Sequence, residues 1–341
     1  MSDLPNAPVL VEVLRGPTVE SRHRGAFAVT DASGRVVAAS GAIDAPVFPR
    51  SAVKPLQASP LVESGAAAAL GLTNKELALA CASHKAEPPH VEVVTAWLAA
   101  AGLGSDVLEC GAHPPNDPAA AAELSRRGEA PLPVHNNCSG KHTGFVCTVV
   151  HLGEDPRGYI QPGHAVQRRV AAALSEMTGV DLTAAPCGCD GCGIPSYAIP
   201  LRGLARGMAR MVDTAGLGRE RARAAETLMA AMAAEPFYVS GSNSFVTTCM
   251  REAGGAVRVK TGAEGVYAAA LPALGYGIAL KIEDGAGRAA ELAMATLLRA
   301  LGCFDPAQAE ALDPFLHPVL RNVAGVPVGV VRPTEALAIT R

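Results

Sequence analysis

Several features that would define a function class are scarce in this sequence. Aromatic residues make up 4% and charged residues 18% of its 341 residues, and the formal net charge at pH 7 is -3. Because binding to nucleic acid depends on a concentrated positive surface, this charge balance argues against nucleic acid as the main partner. There is also no run of five or six like charges, which would be typical of a charged interaction tail.

Signals for export and for membrane insertion are likewise missing. The N-terminal segment MSDLPNAPVLVEVLRG has no basic stretch followed by an apolar one. No stretch of about 20 apolar residues is free of charges or of Gly and Pro breaks. We therefore expect no membrane span and a cytoplasmic location, where the nine cysteines favour reduced thiols or metal ligands over a disulfide framework.

The hydrophobic fraction of 49% and the chain length are sufficient for a sizeable core. Short apolar runs separated by Gly-rich turns predict a sheet from about residues 9–45 and 255–331, with a hairpin in GAFAVTDASGRVVAASG. Helical spacing dominates about residues 50–235 and recurs near the end of the chain. The predicted helices are 52–70, 73–82, 88–102, 118–127, 163–178, 219–235 and 287–302. This pattern favours an α+β fold in which N- and C-terminal strands form one antiparallel sheet and a helical region is inserted, in a single domain of residues 1–341.

Three short motifs suggest a serine-lysine active site. Ser51 and Lys54 form an S-x-x-K pair in RSAVKPLQ, Ser83 follows a predicted helix in CASHK, and Lys260 opens K-T-G at the end of the predicted strand AVRVK. A lone S-x-x-K is weak evidence, since the same spacing occurs on ordinary surface helices. The order S-x-x-K, S-D-N, K-T-G is the signature of class A β-lactamases and penicillin-binding proteins. The middle motif departs from that signature, because Lys85 stands where Asn is expected.

These residue types suit acyl transfer from an amide. A serine hydroxyl such as that of Ser51 is a poor nucleophile until a base removes its proton. A lysine acts as that base only when burial or a nearby cation lowers its pKa, and Lys260 could supply the cation for Lys54. Ser83 could then pass a proton to the leaving nitrogen.

Cysteines in HNNCSGKHTGF and CGCDGCGIP form a second candidate site. Cys138, Cys187, Cys189 and Cys192 are soft ligands that could share a zinc ion. The alternative is that each thiol is simply a small buried hydrophobe. The Gly-rich, polar settings favour a function for Cys138 and Cys192, whereas we expect the five cysteines outside these two motifs to be structural.

The segments VEVLRGPTVESRHRGAFAV, PVFPRSAVKPLQ, HNNCSGKHTGF, DGCGIPSYAIPL and KTGAEGVYAAALP occur here in this order. Together they resemble the rhizobial-type L-asparaginases of the asparaginase II family, from about residue 9 to 331. The resemblance implies a fold similar to serine β-lactamases and penicillin-binding proteins. It also implies hydrolysis of L-asparagine to L-aspartate and ammonia, and a homodimer.

The resemblance further implies two Ser-Lys tandems. Ser51 is then the nucleophile with Lys54 as its base, and Ser83 and Lys260 form the supporting tandem.

A zinc ion near the substrate is also implied, bound by Cys138, Lys141 and Cys192 and supporting substrate binding without activating water. A lysine ligand must lose its proton before it binds, so zinc affinity should fall as the pH drops. The family pattern is DGCG without a preceding C-G-C, so Cys187 and Cys189 are extra thiols. They could extend the ligand set, form a disulfide or be an oxidation-sensitive site.

Substrate contacts are expected from three further residues. Asp190 would hold the α-ammonium group, and Arg50 and His142 lie beside the mapped positions. A surface or carboxylate-paired arginine and a structural histidine are the respective alternatives. Glu20 and His23 also fall in a matching stretch, without an assigned role.

Two other functions compete with asparagine hydrolysis. One is a glutaminase, β-lactam hydrolase or other serine amidohydrolase on the same scaffold, because one methylene gives only about 1–3 kcal/mol of discrimination. The other is a zinc-binding sensor on an inactive hydrolase scaffold, suggested by C-G-C-D-G-C. The presence of Ser51, Lys54, Ser83 and Lys260 argues against the sensor.

Overall fold

Strands lie at both ends of the chain and helices fill its middle. A computed structural model describes residues 7–339. Residues 1–6, on which the expectation of no export signal partly rests, and residues 340–341 lie outside the described part. The strands are β1 Val9–Arg15, β2 Thr18–Asp31, β3 Val36–Ser40, β4 Pro46–Val47, β5 Cys187–Cys189, β6 Pro195–Tyr197, β7 Ile199–Pro200, β8 Arg258–Thr261, β9 Val266–Leu271, β10 Tyr276–Ile282, β11 Val319–Arg321 and β12 Pro327–Pro333. The helices are α1 Lys54–Gln57, α2 Ser59–Glu63, α3 Ala66–Ala69, α4 Asn74–Ala80, α5 Pro88–Ala100, α6 Pro118–Arg126, α7 Ser139–His151, α8 Ala165–Thr178, α9 Leu201–Arg210, α10 Arg219–Ala234, α11 Pro236–Ser240, α12 Phe245–Glu252, α13 Gly287–Ala300, α14 Pro306–Ala311 and α15 Asp313–Leu316.

The contacts divide the chain into two compact units. The sheet unit contains residues 7–52, 199–213 and 248–339, and the helical unit contains Val53–Ala198 and Thr214–Thr247. The interpretation of residues 1–341 as one asparaginase II-type domain stays a prediction.

The sheet unit contains an eight-stranded antiparallel sheet. Its strand order is β11-β12-β1-β2-β10-β9-β8, and β3 pairs with β2 beside this path. N-terminal strands β1 and β2 thus lie between C-terminal strands, which confirms the α+β class and the joint sheet. The predicted hairpin is β2–β3, with Phe27 opposite Ser40.

Close packing of a helix on the sheet depends on one glycine. Helix α9 packs against β2 and β10. A Cβ atom on Gly277, in β10, would lie only 1.9 Å from the carbonyl oxygen of Ala205. Strand β9 is buried along its whole length, so its apolar residues form the centre of this unit's core.

In the helical unit, the prediction of one helix over 52–70 was wrong. Three short helices, α1 to α3, occupy this stretch. Pro55 and Pro60 stand near the starts of α1 and α2, where the backbone N–H that proline lacks would have no helical partner. Gly65, with φ +86°, separates α2 from α3. The other predicted helices are present with ends shifted by a few residues, and Thr73 and Glu76 form the predicted capping box.

Helix α7 was missed because its sequence, SGKHTGFVCTVVH, is rich in glycine and β-branched residues. Eleven of its 13 residues are buried. A Cβ atom on Gly140 would lie 2.4 Å from the carbonyl oxygen of Leu79, so glycine lets α7 approach α4 closely. Tertiary packing therefore forms a helix that local preference does not favour.

No helix within residues 7–339 has the length and apolar character needed to cross a membrane.

Candidate active site

Ser51 lies in a short 3-10 turn, Arg50–Val53, that leads into α1. Arg50, directly before it, has φ +50°, in the left-handed region that a side chain with a Cβ rarely adopts. Such strained backbone persists only where the surrounding structure enforces it, and it is common at active sites.

The glycine of K-T-G packs against this turn within the sheet unit. A Cβ atom on Gly262 would lie 2.6 Å from the carbonyl oxygen of Pro49 and 3.1 Å from the backbone nitrogen of Ala52. The motif therefore needs glycine so that the end of β8 can lie beside the backbone that carries Ser51. Lys260 is fully buried in β8, and its Nζ donates to the carbonyl of Thr261 at 2.8 Å.

Lys54 is a buried lysine that donates directly to Ser83. Its side chain is 1% exposed, and its Nζ lies 2.9 Å from Ser83 Oγ and 2.5 Å from the carbonyl oxygen of Ala82. The backbone N–H of Ser83 donates to the carbonyl of Val239 at 3.0 Å, which fixes the serine after α4. Within the helical unit Ser83 accepts from Lys54, and its pairing with Lys260, which the resemblance implies, stays a prediction.

Three buried side chains form a second cluster in the helical unit. Cys138 precedes α7, Lys141 lies in its first turn, and Lys141 Nζ donates to Cys192 Sγ at 3.2 Å. Cys138 is held by its backbone N–H, which donates to Asn136 Oδ1 at 2.8 Å. The cluster thus brings together the three residues that the resemblance named as zinc ligands.

A hydrogen bond joins the two thiols of this cluster, Cys138 and Cys192. A hydrogen bond from Cys192 holds the pKa of Cys138 well below its usual range, against the effect of burial. The same hydrogen bond, and burial, raise the pKa of Cys192. Burial alone would lower the pKa of Lys141, but the nearby thiols and Asp190 raise it above its usual value. These pKa shifts favour the ammonium form of Lys141 and the thiolate form of Cys138.

A tight turn carries Asp190 and Cys192 between β5 and β6. The backbone N–H of Asp190 donates to the carbonyl of Ile194 at 2.9 Å, and that of Gly193 donates back to Asp190 at 2.8 Å. Gly193 has φ +88°, a conformation that favours glycine. The Asp190 carboxylate is half-buried and accepts from the N–H of Gly191 at 2.7 Å.

His142 is locked in one tautomer by Tyr159. The tyrosine hydroxyl accepts from the N–H of Glu109 at 2.9 Å and lies 2.7 Å from His142 Nδ1. Since the hydroxyl already accepts from Glu109, we assign it as the donor to that ring nitrogen. Burial, and then the positive charges of Lys141 and Lys54, lower the pKa of His142 well below its usual value. The ring is thus neutral and carries its proton on Nε2, a buried atom with no hydrogen-bond partner among residues 7–339.

A comparison with protein-family models decides the assignment. The L-asparaginase II model matches residues 11–333 of the chain. The chain belongs to the L-asparaginase II family. Membership indicates an L-asparaginase enzyme, as the sequence motifs predicted. No curated protein sequence gives a significant match.

In this L-asparaginase II family member, His84 connects the two clusters of the helical unit. The N–H of Ala86 donates to His84 Nδ1 at 3.1 Å, so Nε2 carries the proton and donates to Ser139 Oγ at 2.8 Å. The backbone N–H of His84 also donates to the carbonyl of Asn137, beside Cys138. Sequence reasoning missed His84, and its place directly after Ser83 was the available signal.

Lys85, which replaces the asparagine of S-D-N, holds a loop in this family member. Its Nζ donates to the backbone carbonyl of Ser242. The N–H and the Oγ–H of Ser242 both donate to the Glu87 carboxylate at 2.7 Å. These bonds give Lys85 and Glu87 a structural role.

Within the sheet unit, Glu20 makes an ion pair and His23 makes hydrogen bonds. Glu20 pairs with Arg15 at 2.9 Å on the exposed end of the sheet. His23 Nδ1 lies 2.6 Å from Asp284 Oδ2, and Arg288 Nε donates to His23 Nε2 at 3.2 Å. Both residues therefore have structural partners.

Within residues 7–339, no three His, Cys, Asp or Glu side chains are grouped so that they could hold a metal ion. The cluster of Cys138, Lys141 and Cys192 differs from such a group, because it combines two thiols with a lysine amine. Soft sulfur donors and a neutral amine suit zinc, and the buried Lys141–Cys192 contact brings two of the three donors together. The residues therefore fit the zinc that the resemblance implies.

The cysteines divide into buried and exposed groups. All five cysteines expected to be structural are buried, as are Cys138 and Cys192. Cys187 and Cys189 are exposed and lie in β5.

Proposed function

We propose that this family member hydrolyses the side-chain amide of L-asparagine, with Ser51 as nucleophile and Lys54 as its base. The observation that carries the proposal is the buried Lys54, whose Nζ donates to Ser83 Oγ at 2.9 Å. A lysine buried beside a serine hydroxyl has a route for protons, which a solvated surface lysine lacks. This contact favours the catalytic interpretation of S-x-x-K over an ordinary helical lysine.

The proposed reaction has two halves. Ser51 Oγ attacks the amide carbon while its proton moves to Lys54, and a tetrahedral intermediate forms. Lys54 returns a proton through Ser83 to the leaving nitrogen, the C–N bond breaks, and ammonia departs. Water then attacks the aspartyl ester by the same proton route, which frees Ser51 and releases L-aspartate.

Lys260 supplies positive charge beside the Ser51 turn in this proposal. The fit of Gly262 against Pro49 and Ala52 supports its placement near the nucleophile within the sheet unit. A fixed ammonium group stabilises the oxyanion of the tetrahedral intermediate without reorganisation. The strained Arg50 presents the serine and is proposed to contact the substrate carboxylate.

Substrate recognition is assigned to Asp190 and His142. The Asp190 carboxylate would hold the α-ammonium group of the amino acid. His142, neutral and protonated on Nε2, would donate to a substrate oxygen and so satisfy a buried donor that lacks a partner within residues 7–339. An unpaired buried donor costs about 1–3 kcal/mol, which substrate binding would recover.

Zinc would be held by Cys138, Lys141 and Cys192. When bound, it would supply positive charge that strengthens substrate binding. All three ligands must be deprotonated to bind zinc, which the lowered pKa of Cys138 favours and the raised pKa values of Lys141 and Cys192 oppose.

A serine β-lactamase-like arrangement of the sheet is also proposed, since K-T-G lies at the end of β8 and packs beside the Ser51 turn. The homodimer and the cytoplasmic location remain predictions from the resemblance and the sequence.

The test is ammonia release from L-asparagine and L-glutamine by the purified chain, with and without zinc. Ser51→Ala and Lys54→Ala should each lower turnover by about 10³-fold or more. Ser125→Ala and Lys75→Ala, at exposed positions in the helical unit, are matched controls that should retain activity. Near-normal turnover in Ser51→Ala or Lys54→Ala would refute the mechanism.

The same assay separates the alternatives. Preference for L-glutamine would make the chain a glutaminase, and fast β-lactam turnover without asparagine hydrolysis would make it a β-lactam hydrolase. Absence of amidase activity in folded protein, with structure lost on chelation, would favour the zinc sensor.

A further inference from the structure

Two exposed thiols lie on one face of a short strand outside the proposed reaction machinery. Cys187 and Cys189 are the first and last residues of β5, so their side chains point to the same face. Their register partners in β6 are Tyr197 and Pro195, which lie on that face too. Both cysteines are exposed.

This dithiol opens onto a cavity of about 720 Å³ in the helical unit. The wall is largely apolar and includes Ile160, Leu182 and Tyr197. No histidine, carboxylate or further thiol is among the residues that line it. The cavity therefore offers two soft sulfur ligands and no charged oxygen ligand.

The strand geometry disfavours a disulfide between the two thiols. Residues i and i+2 of a strand have Cα atoms about 6.6–6.8 Å apart, and parallel Cα–Cβ bonds keep the Cβ atoms at a similar distance. A disulfide needs Cβ atoms about 3.5–4.5 Å apart, so β5 would have to leave its register with β6. A single atom bonded to both sulfurs would span the gap with less distortion.

We propose that Cys187 and Cys189 form a binding site for a soft monovalent metal ion, Cu(I). Each thiol loses its proton and forms one Cu–S bond, two protons are released, and nothing is oxidised or reduced. Thiolates select Cu(I) among the available metals, and Cu(I) is stable with only two of them.

Other metals fit this site less well. Zinc requires four ligands in a structural site, and the lining residues add no third thiol or histidine. Magnesium and calcium require oxygen ligands in larger number. The site does not depend on the proposed serine-lysine chemistry, since its thiols lie outside both residue clusters.

The experiment titrates the full-length chain anaerobically with Cu(I) against the chromogenic chelator bicinchoninate. In competition with the chelator, the wild type should retain one additional copper ion compared with Cys187→Ser or Cys189→Ser. Each single variant should lose that ion completely, because one thiolate cannot replace two. Retention of the ion in either variant would overturn the proposal.

A control addresses the buried thiols, which could also bind copper. Cys138→Ser removes one thiol of the buried pair and should leave the additional ion in place. If only Cys138→Ser lost the additional copper ion, the ion would belong to the buried cluster, which would contradict the assignment. Treatment of the metal-free chain with the oxidant diamide should not convert the Cys187–Cys189 pair to a disulfide, and a mass loss of two hydrogens localised to that pair would refute the strand geometry.

Discussion

Removal of the Tyr159 hydroxyl tests the tautomer lock on His142. In Tyr159→Phe, the ring nitrogen Nδ1 loses its donor and the Glu109 N–H loses its acceptor. His142 is fully buried, so its orphaned nitrogen should cost about 1–3 kcal/mol, and the half-buried Glu109 N–H about 0.5–1.5 kcal/mol. We expect the free energy of unfolding to fall by about 1.5–4.5 kcal/mol.

The functional effect of this change should appear in KM. Without the hydroxyl, the His142 proton is no longer restricted to Nε2. The Nε2–H group that is proposed to donate to the substrate is then present in only part of the molecules. KM for L-asparagine should rise more than kcat falls, because the interaction serves binding.

Two assays separate the lock from general damage. Urea unfolding gives the stability change, and nitrogen NMR of the labelled histidine rings reports which nitrogen carries the proton. Tyr276→Phe, at a half-buried tyrosine of the sheet unit, is the matched control. If Tyr159→Phe keeps a single Nε2–H tautomer and wild-type stability, the assignment of the hydrogen-bond directions is wrong.

Three further predictions follow from the packing and the charges. Gly262→Ala should lower activity strongly, because its Cβ would lie 2.6 Å from the Pro49 carbonyl oxygen; unchanged kcat would show that the Ser51 turn tolerates displacement. Cys138→Ser should mainly raise KM if zinc supports substrate binding, and a pure kcat defect in steady-state kinetics would indicate catalytic zinc instead. Zinc affinity should weaken by about tenfold per released proton for each unit that the pH falls, since the raised pKa of Lys141 keeps its amine protonated; a pH-independent Kd from zinc titration between pH 6 and 8 would exclude a lysine ligand.

Regular patterns in the sequence predicted much of the fold. The apolar runs at both ends gave β1, β2 and the C-terminal strands, and the Thr73–Glu76 capping box gave the start of α4. These signals are local, because each depends on residues within one turn or one strand. Local signals could not predict the strand order, since paired strands such as β1 and β12 are separated by most of the chain.

The candidate residues followed from the sequence, but their partners did not. Motif order and family resemblance identified Ser51, Lys54, Ser83 and Lys260 without any coordinates. Only the tertiary structure joined Lys54 to Ser83, because the hydrogen bond links residues 29 positions apart. The sequence therefore determined which chemical groups this L-asparaginase II family member carries, and the packing decided which of them meet. Hydrogen bonds between distant residues, such as those of Tyr159 with His142, depend on three-dimensional distances that no local pattern encodes.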